Sequence, residues 1–181
     1  MKKNFFTIQE LCIIGLATAL ICVMAPLSIP MPLGVPITLQ TFIITLGAII
    51  LGAKRGAVAT FIYILLGAFG LPVFSNFTGG WQMIVGPTGG FILSFPIMAY
   101  VIGRASALRA KHKCLLILGI FLGTVINFVC GVAMFCLVTE SSLLIGFTTC
   151  VLPFIPLTII KWILAYIIGI NIRKRIQLTD N

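Results

Sequence analysis

Lys161 stands inside the apolar run IPLTIIKWILAYIIGI (residues 155–170) and is the one charged residue set well inside such a run. An ammonium near the centre of a membrane helix costs about 2.5–3.5 kcal/mol on insertion scales, so it normally faces a cavity or finds a partner. No intramembrane acid is available to pair with it. The chemistry this suits is anion recognition, with a ligand carboxylate as the missing counter-charge, and a hydrogen bond to a charged group contributes about 1.5–3 kcal/mol. The competing reading is snorkelling. Counted from Pro156, the lysine lies about 5 residues, roughly 8 Å, into a helix, and its stem could carry the ammonium to the outer interface.

A second concentration of recognition chemistry is the stretch GLPVFSNFTGGWQMIVGPTGG (residues 70–90). Phe74, Phe77 and Trp81 offer rigid apolar walls, while Asn76, Thr78, Gln82 and Thr88 offer donors and acceptors. Small-molecule pockets combine apolar lining with a few convergent polar groups; the alternative for Phe74 and Phe77 is an interfacial aromatic belt. So irregular a segment cannot face lipid, because each unpaired backbone group there costs several kcal/mol, and it must be buried in protein or face water. Thr38 and Gln40, in Pro36-Ile37-Thr38-Leu39-Gln40, add polar groups at the start of another apolar run. Gln40 needs a partner, from ligand or from a neighbouring helix.

Other chemistries find little support. The single histidine, His112, sits in a basic cluster, and the three acids Glu10, Glu140 and Asp180 are dispersed. That leaves no catalytic constellation and no metal-ligand spacing. The six cysteines fall mostly in apolar runs without a Cys-x-x-Cys pair and read as small buried hydrophobes. Gly47, Gly52 and Lys54 imitate a phosphate loop, but Ala53 intervenes before the lysine and Arg55 stands where Ser or Thr should hold magnesium. No catalysis, metal, cofactor or nucleotide is expected, and energy for uphill movement would come from a partner.

The elements that must position these groups are membrane helices. The 181 residues are 60% hydrophobic and 8% charged, with mean hydropathy +1.23, far from the roughly one-quarter charged composition of soluble domains. At about 20 residues per span, the length suits one all-α domain, residues 1–181, of six transmembrane helices. Their expected positions are 7–24, 37–52, 56–69, from Pro87 to 103, 115–138 and 153–170. A polar connection with Glu140, Ser141 and Ser142 and a further apolar run precede the last. The net charge of +9 lies in short clusters between runs, which argues for topology signals and against nucleic acid. With six spans, Lys2/Lys3, Lys54/Arg55, the Arg104 to Lys113 cluster and Arg173 to Arg175 all fall on one side, so both termini are expected to be cytoplasmic. Ala17-Thr18-Ala19 resembles a signal-peptidase site, but Gln9 and Glu10 interrupt the apolar region before it and the run continues beyond, so a retained first helix is expected. On that helix Gly15 and Ala19 are one turn apart. Small residues at this spacing let helices approach closely, either within the protein or against another membrane protein.

Val35-Pro36-Ile37-Thr38-Leu39-Gln40-Thr41, Gly70-Leu71-Pro72-Val73-Phe74 and Gly86-Pro87-Thr88-Gly89-Gly90-Phe91, in that order and at these separations, resemble the BioY family, the biotin-binding S components of energy-coupling-factor (ECF) transporters. The resemblance extends through the sixth span over nearly the whole chain. It implies a six-helix protein of the cell membrane that captures biotin from outside. It also implies association with a transmembrane coupling subunit and two ATPases, whose hydrolysis topples the S component to release biotin inside. The Gly15 and Ala19 face resembles the surface by which such components dock on the coupling subunit. Biotin suits the candidate pocket, since its ureido ring needs donors and acceptors, its sulfur ring and chain need apolar walls, and its carboxylate needs a cation. One departure stands out. The family's sixth helix usually opens with Pro-Gly-Asp and a lysine three residues beyond the Asp, whereas here Pro156 and Lys161 flank Leu157 and Thr158 in those places. Asp and Lys at that spacing share a helix face and can pair; Thr158 leaves Lys161 without a fixed counter-charge. This implies a stronger demand on the ligand carboxylate, or a preference shifted towards a related acid such as lipoate. From a different class, a structural or channel-like membrane subunit is the alternative.

Overall fold

The computed structural model describes residues 7–31, 35–108 and 113–176. Lys2, Lys3, Arg109, Lys111, His112 and Asp180 lie outside the described residues. The chain forms α1 (Ile8–Met24), β1 (Ser28–Ile29), β2 (Ile37–Thr38), α2 (Gln40–Leu51), α3 (Ala53–Ala68), α4 (Trp81–Val85), α5 (Gly89–Leu108), α6 (Lys113–Thr139), α7 (Leu143–Cys150) and α8 (Ile155–Ile176). Single 3-10 turns occupy Ser75–Phe77 and Leu152–Phe154.

Local chemistry accounts for the boundaries. Thr7 caps α1, accepting from the Glu10 N–H at 3.3 Å while the Glu10 carboxylate accepts from the Thr7 N–H at 2.8 Å, a reciprocal pairing that satisfies two donors orphaned at the helix start. The same carboxylate accepts from Arg55 Nη2 at 2.7 Å and ties α1 to the start of α3. Glu10, which looked like an interruption of the first span, is thus its cap and its anchor. The second helix begins at Gln40 rather than 37, because the β-branched pair Ile37 and Thr38 forms an antiparallel ribbon with Ile29 and Ser28. Between α2 and α3, Gly52 takes φ +82°, a turn open to glycine at little cost.

The stretch 70–90 contains the short helix α4, and α5 starts at Gly89, just past Pro87. The apolar run after Ser142 is the helix α7, capped by Ser142 Oγ accepting from the Ile145 N–H. The last helix starts at Ile155 and continues past 170, because Arg173 is buried and donates through Nη1 to the Ile49 carbonyl and Ser106 Oγ, both at 2.7 Å.

Helix α5 lies at the centre, packed on α2, α3 and α6, with α8 against α2 and α1 against α3. The core is built from Tyr63, Phe74, Phe95, Ile49, Met98 and Ile102. The α5–α6 contact is close enough that a Cβ on Gly90 would collide with the Cys130 carbonyl. Outside, large apolar side chains such as Leu16, Phe61, Val129 and Ile163 are exposed, as befits a surface solvated by lipid. Three stretches, Gly89–Leu108, Cys114–Thr139 and Leu143–Arg175, are long and apolar enough to cross a membrane, while Ile8–Met24 and Gln40–Leu51 are shorter apolar helices. The protein is an all-helical integral membrane protein apart from the two-residue strands.

Candidate functional site

At the end of the bundle opposite the Glu10–Arg55 and Arg173 contacts, a cavity lies between β2, the N-terminal halves of α2 and α5, the middle of α6, and α8. Its apolar lining comes from Phe91, Phe95, Phe128 and Trp162. Three of these rings are held by ring contacts: Phe91 meets Phe128 edge-on at 6.5 Å between centroids, and Trp162 meets Phe121 at 6.1 Å. Edge-to-face contacts at these distances match the quadrupoles of the rings. Trp162 is held further by its indole N–H, which donates to Thr124 Oγ1 at 3.0 Å.

Lys161 lines this cavity from α8. Its Nζ donates to the Thr38 carbonyl at 2.6 Å and to Thr41 Oγ1 at 3.3 Å. Both partners are neutral; among the described residues no carboxylate forms an ion pair with Lys161. The ammonium is therefore solvated by neutral dipoles. Thr158, one turn earlier on α8, also borders the cavity.

Gln40 and Thr88 are brought to the same cavity as Thr38 and Lys161. Gln40 finds its partner on a neighbouring helix: its Nε2 donates to the Tyr63 hydroxyl, which in turn donates to the Val73 carbonyl at 3.1 Å. Thr88 reaches the cavity from the residue preceding α5.

A family model described as the BioY family matches residues 1–178. The chain belongs to the BioY family. Among relatives, it is 38% identical over 169 residues to the "Biotin transporter BioY" of Thermotoga maritima, covering 92% of this chain and 96% of that protein. It is 35% identical over 179 residues to "Biotin transporter BioY2" of Lactococcus lactis subsp. cremoris, covering 96% and 94%. A crystal structure described as the S component for biotin from an ECF-type ABC transporter superposes with TM-score 0.78 at 25% identity, over 95% of this chain and 93% of that one.

The remaining residues singled out on this BioY-family chain fall elsewhere. Phe74, expected in the outer wall, is 1% exposed. Its ring packs edge-on against Tyr63 at 5.6 Å, in the helical core instead of the cavity wall. Phe77 and Trp81 are exposed and do not line the cavity. Asn76 is committed to a loop contact, in which its side-chain oxygen accepts from Ser28 Oγ at 2.8 Å and its N–H donates to the same hydroxyl at 2.8 Å. The stretch 70–90 thus bonds to β1 through Asn76 and Ser28 and, through Thr88 and the start of α5, borders the cavity. Gly15 and Ala19 are exposed on α1, and no atom lies within 4 Å of a Cβ built on Gly15.

Sequence reasoning passed over Thr41, Thr124, Asn127 and Tyr63. For Asn127 a signal was present: an amide inside the apolar run VINFV is as anomalous as Gln40 in its own run, and it too needs a partner. The threonines carried no such signal, since a hydroxyl in a helix can bond back to its own preceding turn, as Thr124 Oγ1 does to the Ile120 carbonyl at 2.9 Å.

Proposed function

We propose that this chain captures biotin in the cavity between α2, α5, α6 and α8 and carries it across the membrane as the S component of an ECF transporter. The observation that supports this reading best is the Lys161 ammonium, which lines an aromatic-walled cavity and, among the described residues, is held by the neutral Thr38 carbonyl and Thr41 hydroxyl. A ligand that bears one carboxylate on an apolar body completes that arrangement. Biotin does so, with its chain and sulfur ring against Phe91, Phe95, Phe128 and Trp162 and its carboxylate at Lys161; Thr38, Gln40 and Thr88 supply polar edges. In this arrangement Phe74 acts through the core, and Asn76, Phe77 and Trp81 serve the outer loop.

The domain is a single one of six spans, α1, α2, α3, α5, α6 and α8, in the plasma membrane. The end bearing Lys54, Arg55, Arg104 and Arg173 to Arg175 faces the cytoplasm with both termini, as the positive-inside rule directs. The exposed Gly15 and Ala19 face of α1 docks on a transmembrane coupling subunit whose two ATPases supply the energy, and the chain itself catalyses no reaction.

The test is a titration of the detergent-purified protein with biotin and with lipoate, followed by tryptophan fluorescence and calorimetric heat. Saturable sub-micromolar biotin binding is expected, with lipoate weaker. Tight lipoate binding without biotin binding would overturn the biotin assignment, and no saturable binding of either would leave a structural or channel-like subunit.

A further inference from the structure

Asn127 lies midway along α6, 1% exposed, and lines the cavity. Its Nδ2 donates to the Phe91 carbonyl at 2.9 Å and to Ser94 Oγ at 2.8 Å. Ser94 Oγ in turn donates to the same Phe91 carbonyl at 3.0 Å. The proton inventory of this triangle determines the orientation of the amide. A carbonyl oxygen can only accept, so the atom facing Phe91 must be the nitrogen. The serine proton is spent on that carbonyl, so its lone pairs receive the second amide hydrogen. A flipped amide would set two acceptors against each other.

Both hydrogens of Asn127 are therefore consumed by α5, and Ser94 is not among the residues that border the cavity. The amide oxygen has no partner among the described residues. A buried acceptor left unpaired is costly, and the great majority of buried side-chain polar atoms in native structures have a partner.

We infer that Asn127 Oδ1 accepts an N–H of the bound ligand's ring and is a specificity determinant for a cyclic urea over a ring without N–H groups. The inference rests on the biotin reading above and adds to it the polar end of the site. The carboxylate is drawn to Lys161, and the ring N–H is drawn to a preorganised amide oxygen on α6. Because Asn127 cannot reorient without breaking two hydrogen bonds to α5, it cannot offer a donor instead. A ligand whose ring presents only acceptors or sulfur leaves the oxygen unpaired. Discrimination therefore comes from the penalty on the wrong ring as much as from the bond to the right one.

The experiment compares biotin with its two mono-N-methyl derivatives, methylated at either ureido nitrogen, by calorimetry on the purified wild-type chain and on Asn127→Ala and Asn127→Thr. Thr retains a hydroxyl to face Phe91 and guards against a collapse of α6 packing in the alanine variant. The wild type is expected to bind one N-methyl derivative about tenfold or more weaker than biotin. In the variants biotin binding should fall to near the level of that derivative, so that the preference disappears. Equal binding of biotin and both derivatives by the wild type, or an unchanged preference in the variants, would overturn the role of Asn127 while leaving the biotin reading intact. A wild type that binds no biotin would overturn both.

Discussion

The Lys161 ammonium lies 2.6 Å from the backbone carbonyl of Thr38, a residue 123 positions earlier in the chain. This contact joins α8 to the entry of α2 in the wall of the cavity. It also defines what the lysine lacks, because a carbonyl dipole solvates a cation without neutralising it. Lys161→Ala is expected to weaken biotin binding by about 10- to 150-fold, the range for losing a hydrogen bond to a charged group. A neutral biotin amide should bind wild type and variant alike. Calorimetry on the four combinations checks this, and an equal loss for both ligands would reassign Lys161 to structure.

Tyr63 bridges Gln40 on α2 and the Val73 carbonyl beyond α3, with its ring fully buried. Tyr63→Phe leaves a buried donor and a buried acceptor without their partner and should cost about 1–3 kcal/mol. Thermal unfolding in detergent should show a lowered midpoint that excess biotin partly restores by mass action.

Gly90 and Gly15 should respond to alanine in opposite ways. A Cβ on Gly90 meets the Cys130 carbonyl, a backbone atom of α6 that cannot swing aside, whereas one on Gly15 meets nothing within 4 Å. Gly90→Ala is expected to destabilise the fold by about 1–3 kcal/mol or more. Gly15→Ala should be neutral or should stabilise by up to about 1 kcal/mol through helix propensity. Parallel melting curves decide between them.

A bulky residue at the open α1 face separates capture from transport. Gly15→Trp projects into unoccupied space, so biotin binding by the purified chain should match wild type, while uptake with the coupling subunit and ATPases present should fall at least about tenfold if this face docks. Unimpaired uptake would move the docking surface elsewhere. The isolated wild-type chain in vesicles should bind biotin without accumulating it.

Composition alone established a membrane protein, because apolar content and scarce charge describe the solvent that a chain is built for. The long apolar runs marked α1, α5 and α6 closely, and the lone charge in an apolar run marked Lys161, since such a charge is anomalous in any fold. The ordered motifs around Thr38, Phe74 and Thr88 carried the family. What only the tertiary structure decided was which polar and aromatic groups share a space. The stretch 70–90 is contiguous in sequence and reads as one wall, yet Phe74 turns into the core, Asn76 bonds to Ser28, and Phe77 and Trp81 remain exposed. Of that stretch's candidates only Thr88 joins Thr38, Gln40 and Lys161 at the cavity, along with Asn127 from α6 and Trp162 from α8. The reason is physical: hydropathy reports whether a segment is buried in a membrane, whereas a pocket is made by the facing sides of helices distant in sequence. Which side faces inward is set by packing such as that of Gly90 against Cys130.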